Sequence, residues 1–533
     1  MRIETMDVTA EELEELVEQA SQALSPEGQY KLRAAVRTLV SLNEKLTELT
    51  ERLAERDVTI RELRAMLKAP RNSEKTRKVL EEVAAKAVDE QTSIVADSEP
   101  NKKKGHGRNG AAAYTGAVKV AVPHTTLKVK DHCPECWKGK LYPREKPKTL
   151  LRLIGQPPVR ATSYELEALR CNLCGRVFTP ERPPEAGEDK YDVTVVSMIS
   201  VLKYGSGVPF NRQQRLQSQF KIPLPATTQW DLVAGASRTL TPVWNELIRQ
   251  AAQGQVIHND DTSMKILRYV REVSDLRTGM FTSGILSVFS SHRIALFFTG
   301  RQHAGENLAD LLLKREAGLE PPIQMCDALS RNTPKSLRII LANCLAHGRR
   351  YFVDVVQNFP DECRHVLETL GEVFHIDALA RDHGLTADER LALHQQRSAP
   401  LMEQLRDWCN RQFDDRKVEP NSGLGKAIGY LLGHWQALTL FLRQPGAPID
   451  NNLCERALKK AILHRKNSLF YRTKNGARAG DLFMSLIHTA ELCGANPFDY
   501  LTQLLRHPDH LARSPSDWLP WYYQATLGKS AAA

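Results

Sequence analysis

Long apolar runs are missing from this chain. No stretch approaches the ~20 uninterrupted apolar residues that span a bilayer, and the opening MRIETMDVTAEELEEL is acidic and has no apolar signal core. The expectation is a cytoplasmic protein. Cysteine is sparse: ten in 533 residues are too few for a disulfide scaffold, so they read as reduced thiols or metal ligands. Gly (30) and Pro (28) stay near average usage, which excludes collagen-like, mucin-like and wholly disordered chains. At roughly 100–200 residues per domain, the length predicts three or four domains and a large buried core. Lys and Arg outnumber Asp and Glu by 73 to 63, a net charge of +10, which suits a polyanionic partner.

Residues 32–67 carry a seven-residue repeat. Leu32, Leu39, Leu46, Leu53, Ile60 and Leu67 share one position, and Ala35, Leu42, Leu49 and Leu63 lie three places on, with Arg56 interrupting. This a/d pattern predicts a self-associating coiled coil within an N-terminal helical region 1–70, against the plainer alternative of an amphipathic helix packed on its own protein. PRNSEK (70–75) ends it at a proline. A basic linker is expected over 71–130. Its KKKGHGRNG run holds Lys102, Lys103, Lys104 and Arg108 with no acid, and reads either as solvated linker or as a track for phosphates.

Cys133-Pro-Glu-Cys136 and Cys171-Asn-Leu-Cys174 are paired CxxC knuckles. Four thiolates at this spacing complete a closed tetrahedral zinc site, so a ribbon with one structural Zn²⁺ is expected over 131–180. The 34 residues between the pairs exceed the compact spacing but hold two strand-like runs, TLLRLIG and TSYELEALR. Over 181–250 the chain reads as helices: VVSMISVLKYG, NRQQRLQSQF, a KIPLPATT break and TQWDLVAGASRTL. The last two resemble a helix-turn-helix, a spacing that is also common in ordinary cores.

The period then switches from helix to strand. Runs 255–270, 279–291 and 292–300 predict three consecutive strands, followed by a helix near 304–314 and a short strand over 321–327. This order matches an RNase H-like α/β sheet, with a first part at 251–335 and a second at 446–490. Asp260 and Asp261 sit on the first strand, where alternation allows only one of them to face a shared site. Asp327 ends the later strand, and APIDNNLCERALKKAILHRKN (447–467) predicts a helix bearing Glu455 near its start. Carboxylates so placed can hold two divalent ions for in-line attack on a phosphodiester, and Mg²⁺ suits their hard oxygens. From Arg456 to Arg478 there are eight Lys/Arg and no acid, interleaved with Phe470 and Tyr471, a composition suited to a phosphate chain. Between Asp327 and Glu455 lie 127 residues with helical period, predicting a helical insertion over 336–445 before a C-terminal tail at 491–533. Cys344 and His347 have Cys-x-x-His spacing, but no further ligands are apparent; the plainer reading packs them in a helix that turns Arg349 and Arg350 toward DNA.

The ordered set of heptads, SEK, the basic GHGR run, paired CxxC, KYGSGVPFNRQQR, HNDDT, CLAHGRR, IDNNLCER, HRKNSLF, NPFDYL and LPW closely resembles insertion-sequence-66-type DDE transposases over nearly the whole chain. The resemblance implies an RNase H-like catalytic domain whose acids are Asp260, Asp327 and Glu455, holding two Mg²⁺ or Mn²⁺ ions. It further implies hydrolysis of a phosphodiester at each element end and joining of the freed 3′-OH to target DNA. No covalent protein intermediate is expected. Implied partners are double-stranded DNA (the element's terminal repeats and the target), a second copy of the chain and small accessory proteins of the same element; the implied location is the bacterial nucleoid. Phosphate contacts are expected from Lys102, Lys103, Lys104, Arg108, Arg349, Arg350, Arg456, Lys459, Arg465, Lys466 and Arg472. Two departures stand out: Asp261 where the family often has Glu, and Ala328-Leu329-Ser330-Arg331-Asn332 where a Gly and a nearby Tyr commonly follow the second Asp. The rival from another class is a non-catalytic, dimeric, zinc-containing DNA-binding regulator, against which retention of all three acids argues.

Overall fold

The computed structural model describes residues 126–142, 158–170, 177–269, 277–335 and 337–532. The heptads, the basic 102–108 run, Cys171 and Cys174 lie outside the described residues. The described residues divide into two compact units, a larger one holding 126–346, 372–409 and 429–532, and a smaller one holding 347–371 and 410–428.

The larger unit is built on a five-stranded sheet. Its strands are β1 (Val256–Ser263), β2 (Phe281–Phe289), β3 (His292–Gly300), β4 (Ile323–Cys326) and β5 (Ile340–Asn343), in the spatial order β3-β2-β1-β4-β5. β1, β2 and β3 pair antiparallel, whereas β4 runs parallel to β1 and β5 parallel to β4. The three predicted antiparallel strands and the fourth strand are present; β5 is an addition that a four-residue apolar run did not announce. The predicted 255–270 strand is two pieces. Beyond Ser263, the segment Ile266–Arg268 leaves the sheet and pairs in parallel with Tyr471–Thr473.

Before the sheet come α1 (Val193–Ser200), α2 (Phe210–Gln219) and α3 (Ala226–Ala252), and after β3 comes α4 (Ala304–Leu312). Helix α3 runs twelve residues past the predicted end at Leu240. Its apolar period continues through Pro242, with Val243, Leu247 and Ala251 fully buried beside Val233 and Leu240. This apolar face is core, so burial holds the second helix of the expected helix-turn-helix in place.

Helices α5 (Asn452–Ser468) and α6 (Lys474–Leu492) complete the unit. Strand β3 ends the sheet's order, and α6 closes that edge: Thr299 N, Phe297 N and Ala295 N donate to Asp481 Oδ2 (2.8 Å), Ser485 Oγ (3.1 Å) and Thr489 Oγ1 (3.1 Å). The spacing of four places all three acceptors on one helix face, opposite every second residue of the strand. A row of backbone donors that would otherwise invite edge pairing is satisfied internally.

Between β5 and α5 the described residues are helical, with helices at Leu345–Val355, Pro360–Asp382, Ala387–Leu393, Ala399–Asp414 and Gly423–Gly433. In the larger unit this region buries a polar network, in which Asp377 pairs with Arg390 (2.6 Å) and His394 (3.3 Å) while His394 meets Ser398 Oγ at 2.9 Å. In the smaller unit Phe352, Val353, Val356, Val366, Leu367, Leu424 and Ile428 are buried. A Cβ on Gly423 would stand 2.9 Å from Val355 Cγ1, so the small residue permits close helix packing there.

Candidate active site

Strand register brings the first two acids together. β1 and β4 pair as Val256↔Ile323, Ile257↔Gln324 and His258↔Met325. Two further steps along both chains bring Asp260, within β1, level with Asp327, the residue that follows β4. The amide of Asn332 spans the pair, its Nδ2 donating to Asp260 Oδ1 (3.4 Å) and to Asp327 Oδ1. Burial, followed by the charges of Asp327, Asp261 and Glu455, pushes the Asp260 carboxyl up to about 7.

Asp261 faces elsewhere, as strand alternation predicts. Its side chain is 2% exposed, with Oδ2 2.7 Å from His303 Nδ1 and Oδ1 3.5 Å from Arg331. The side chain next to Asp260 is thus doubly paired within the protein.

Glu455 reaches the site because α5 is pinned at its start. Asn451, fully buried, sits immediately before the helix. Its Nδ2 donates to Asn259 O (3.2 Å), which fixes the amide so that Oδ1 accepts from His258 Nδ1 (3.1 Å). Its backbone N–H points at Cys344 Sγ (3.2 Å) and its carbonyl accepts from Glu455 N (3.1 Å). Burial holds His258 down to about 4, so it stays neutral as this partner. One turn later, the Cys454 thiol donates to Gly284 O (3.3 Å). Gly284 is the cross-strand partner of Asp260, and a Cβ there would stand 2.9 Å from Leu458 Cδ2. Glycine therefore lets α5 lie directly over β2 beside the acids. The helix N-terminus favours the Glu455 carboxylate, and Cys344 Sγ lies within 4.8 Å of a Glu455 ligand oxygen.

The far end of α5 is fastened by the motifs flanking it. Lys203 Nζ donates to Ser468 Oγ (2.8 Å) and Arg212 to Asn467 Oδ1 (3.3 Å), while a Cβ on Gly207, at φ 71°, would stand 2.8 Å from Leu463 Cγ. Burial brings Lys203 down to about 8. His464 stacks between Tyr204 (6.1 Å) and Tyr471 (4.6 Å). The KYGSGVPFNRQQR and HRKNSLF segments thus meet at one junction.

The family model described as Transposase IS66 family matches residues 190–479, more than half of the chain and all of these elements. The chain belongs to the IS66 transposase family. Among relatives, the uncharacterized protein y4jD of Sinorhizobium fredii is 36% identical over 209 residues, covering 38% of this transposase and 40% of y4jD. The uncharacterized protein y4hP of the same organism is 25% identical over 386 residues, 67% of each chain. The match spans less than half of y4jD and about two thirds of y4hP.

The basic residues expected to face DNA divide. Arg456, Lys459, Lys466, Arg472 and Arg350 are exposed. Arg465 is instead committed within the transposase, donating to Thr262 Oγ1 (3.0 Å) and Ser263 Oγ (2.6 Å) at the end of β1. Arg349 is 6% exposed, which corrects the expectation that it stands beside Arg350 on the surface; it lies on the inward side of the helix Leu345–Val355. Of the four cysteines expected to hold zinc, Cys133 and Cys136 are described. Cys133 N donates to Gly139 O (2.8 Å) and Trp137 N to Cys133 O (2.9 Å), a tight turn. The backbone N–H groups of Gly139 and Lys138, with the Cys133 thiol, hold the Cys136 thiol below its ordinary value. The antiparallel pair Leu169–Arg170 and Val177–Phe178 brackets the second CxxC, spanning only the end of the predicted TSYELEALR strand.

Among the contributors that escaped the sequence are His303, Arg331 and Asn332. The departure after Asp327 was the available signal. The short helical turn Ser330–Asn332 supplies one residue to each of the two neighbouring aspartates.

Proposed function

We propose that this IS66-family transposase cleaves a phosphodiester at each end of its element and joins the freed 3′-OH to target DNA, with Asp260, Asp327 and Glu455 as the catalytic acids. The observation that carries the reading is the juxtaposition of Asp260 on β1 with Asp327 just past β4, bridged by the Asn332 amide, with the Glu455 charge acting on the same Asp260 carboxyl. The strand order, with three antiparallel strands followed by two parallel ones, supports an RNase H-like sheet.

The donor set fits Mg²⁺ or Mn²⁺: carboxylate oxygens are hard ligands, and a cation would relieve the burial and neighbouring negative charge that push the Asp260 carboxyl up. Asp260, Asp327 and Glu455 would hold the ions. Two bound ions supply charge stabilisation to the attacking and leaving oxygens of an in-line displacement and lower the pKa of a nucleophilic water. A cation held there would favour the ionised Asp260 carboxylate over the protonated form that burial promotes. Asp327 and Glu455 approach from a strand end and a helix start, so the set is held by three separately anchored elements. Arg456, Lys459, Lys466 and Arg472 extend an exposed basic face from the Glu455 helix for backbone phosphates, which positions DNA without reading its sequence. Cys133, Cys136, Cys171 and Cys174 bind one structural Zn²⁺, and the 32–67 heptads pair two or more copies. Lys102, Lys103, Lys104 and Arg108 add phosphate contacts.

The test is incubation with duplexes bearing the element's own ends, with and without Mg²⁺, scored for nicking and joining. Cleavage by the wild type and its loss in Asp260→Asn, Asp327→Asn and Glu455→Gln, with end binding kept, support the proposal. Cleavage that survives all three substitutions overturns it.

A further inference from the structure

We infer that Asn332 is a positioning residue of the cation site, an amide fork that engages one oxygen of each aspartate and leaves the other for the ion. The inference rests on the reading of Asp260 and Asp327 as cation ligands. Among the described residues, every hydrogen bond to these two carboxylates falls on Oδ1. Asp260 Oδ1 accepts from Asp261 N (2.8 Å) and Asn332 Nδ2 (3.4 Å), and Asp327 Oδ1 accepts from Leu329 N (3.3 Å) and the same Asn332 Nδ2. Among the described residues, neither Oδ2 receives a hydrogen bond. Both carboxylates are thereby turned with one oxygen tied to the protein and the other left to a cation.

The fork is itself held rigidly. Asn332 is fully buried, and its carbonyl accepts from Asn259 Nδ2 (2.7 Å) and Gln324 Nε2 (2.6 Å), two buried side chains joined to each other at 2.7 Å. Helix α4 braces the turn from behind: a Cβ on Gly305 would meet Arg331 O at 2.7 Å and Thr333 O at 2.8 Å, so only glycine allows this approach. The orientation of the amide follows from chemistry. Its NH₂ is the end that two carboxylates accept, and the reverse would set three acceptors against one another. Its Oδ1 is buried and has no hydrogen-bond partner among the described residues, an acceptor available to a cation-bound water.

Hydrogen bonds that orient ligating groups typically contribute 10–100-fold to metal affinity. The experiment is titration of the full-length protein with Mn²⁺ alone, read by calorimetry and by the electron paramagnetic resonance of free Mn²⁺. Asn332→Leu keeps the volume and the backbone carbonyl's bonds but removes the fork. It is expected to weaken Mn²⁺ binding about 10–100-fold while end binding in EDTA is unchanged, and Asn332→Ala is expected to do the same if the leucine disturbs packing. Mn²⁺ binding within twofold of wild type in both variants overturns the inference. Asp327→Ala separates the two levels: if it too binds Mn²⁺ normally, the cation-site reading itself fails, whereas its loss of binding alongside intact binding in the Asn332 variants defeats only the fork.

Discussion

His303 Nδ1 lies 2.7 Å from Oδ2 of Asp261, and this bond divides two adjacent aspartates between different tasks. Asp261 is consumed by His303 and, at 3.5 Å, by Arg331, while Asp260 turns to Asp327. Asp261→Asn is therefore expected to lower thermal stability, because it leaves His303 and Arg331 without their buried partner, and to keep cleavage within about tenfold. Asp260→Asn is expected to reduce cleavage by at least about a thousandfold, the worth of several kcal/mol of metal-mediated stabilisation. Nicking rates and melting curves of the two variants, run side by side, decide it. The opposite pattern would reverse the assignment of strand faces.

A second expectation concerns pH. Asp260 and Asp481 are both pushed up, to about 7 and about 8, chiefly by burial. A carboxyl whose folded value exceeds its unfolded value of ~3.9 favours the fold fully below that value, and the contribution is lost as pH rises through the folded value. The metal-free protein should thus melt higher at pH 5.5 than at pH 9. Asp260→Asn should flatten the part of the curve that falls up to pH 7, and Asp481→Asn the part extending to pH 8. A melting temperature that rises steadily from pH 5.5 to 9 would contradict the burial of both acids. Mg²⁺ should restore stability at high pH in the wild type and not in Asp260→Asn.

What could be read beforehand follows from the range of the interactions. The strands of HNDDT, of 279–291 and of His292–Gly300 were legible because their apolar pattern is local, and the helix bearing Glu455 announced itself by Asp and Asn followed by helical period. β5 was not legible, since four residues that run straight into a helix give no period to count. The pairing of Ile266–Arg268 with Tyr471–Thr473 joins segments some two hundred residues apart, and no local signal specifies it. Asn332 and His303 were missed for the same reason: their value lies in the carboxylates they meet. Arg465 and Arg349 were assigned to DNA by composition, which counts charges but does not tell which of them the fold uses itself.

The link between Asn451 and His258 yields a third expectation. Asn451 ties the start of α5 to β1 through bonds to His258 and Asn259. Asn451→Ala should cost about 1–3 kcal/mol of stability by leaving buried polar groups without partners. It should also reduce cleavage more than end binding, because Glu455 would lose its fixed approach while the exposed basic face remains. Equal losses of cleavage and end binding would assign Asn451 a purely structural role.

The basic stretch after Glu455 divides by the same logic into residues free to meet DNA and a residue the protein has already engaged. Lys466 and Arg472 are exposed. Replacing both by Ala should weaken binding about equally on specific and random duplexes and flatten the dependence on salt by roughly one to two units of slope, as phosphate contacts require. Arg465→Ala should behave differently, because its guanidinium binds Thr262 and Ser263 two and three residues beyond Asp260. Its removal should lower the melting temperature and cleavage while leaving the salt slope within about half a unit of wild type, less than the ~0.9 expected for one phosphate contact. Filter binding across a salt series, paired with melting curves, separates the two. A slope change in Arg465→Ala equal to that of Lys466→Ala would mean that Arg465 releases the strand end and turns to the phosphates when DNA binds.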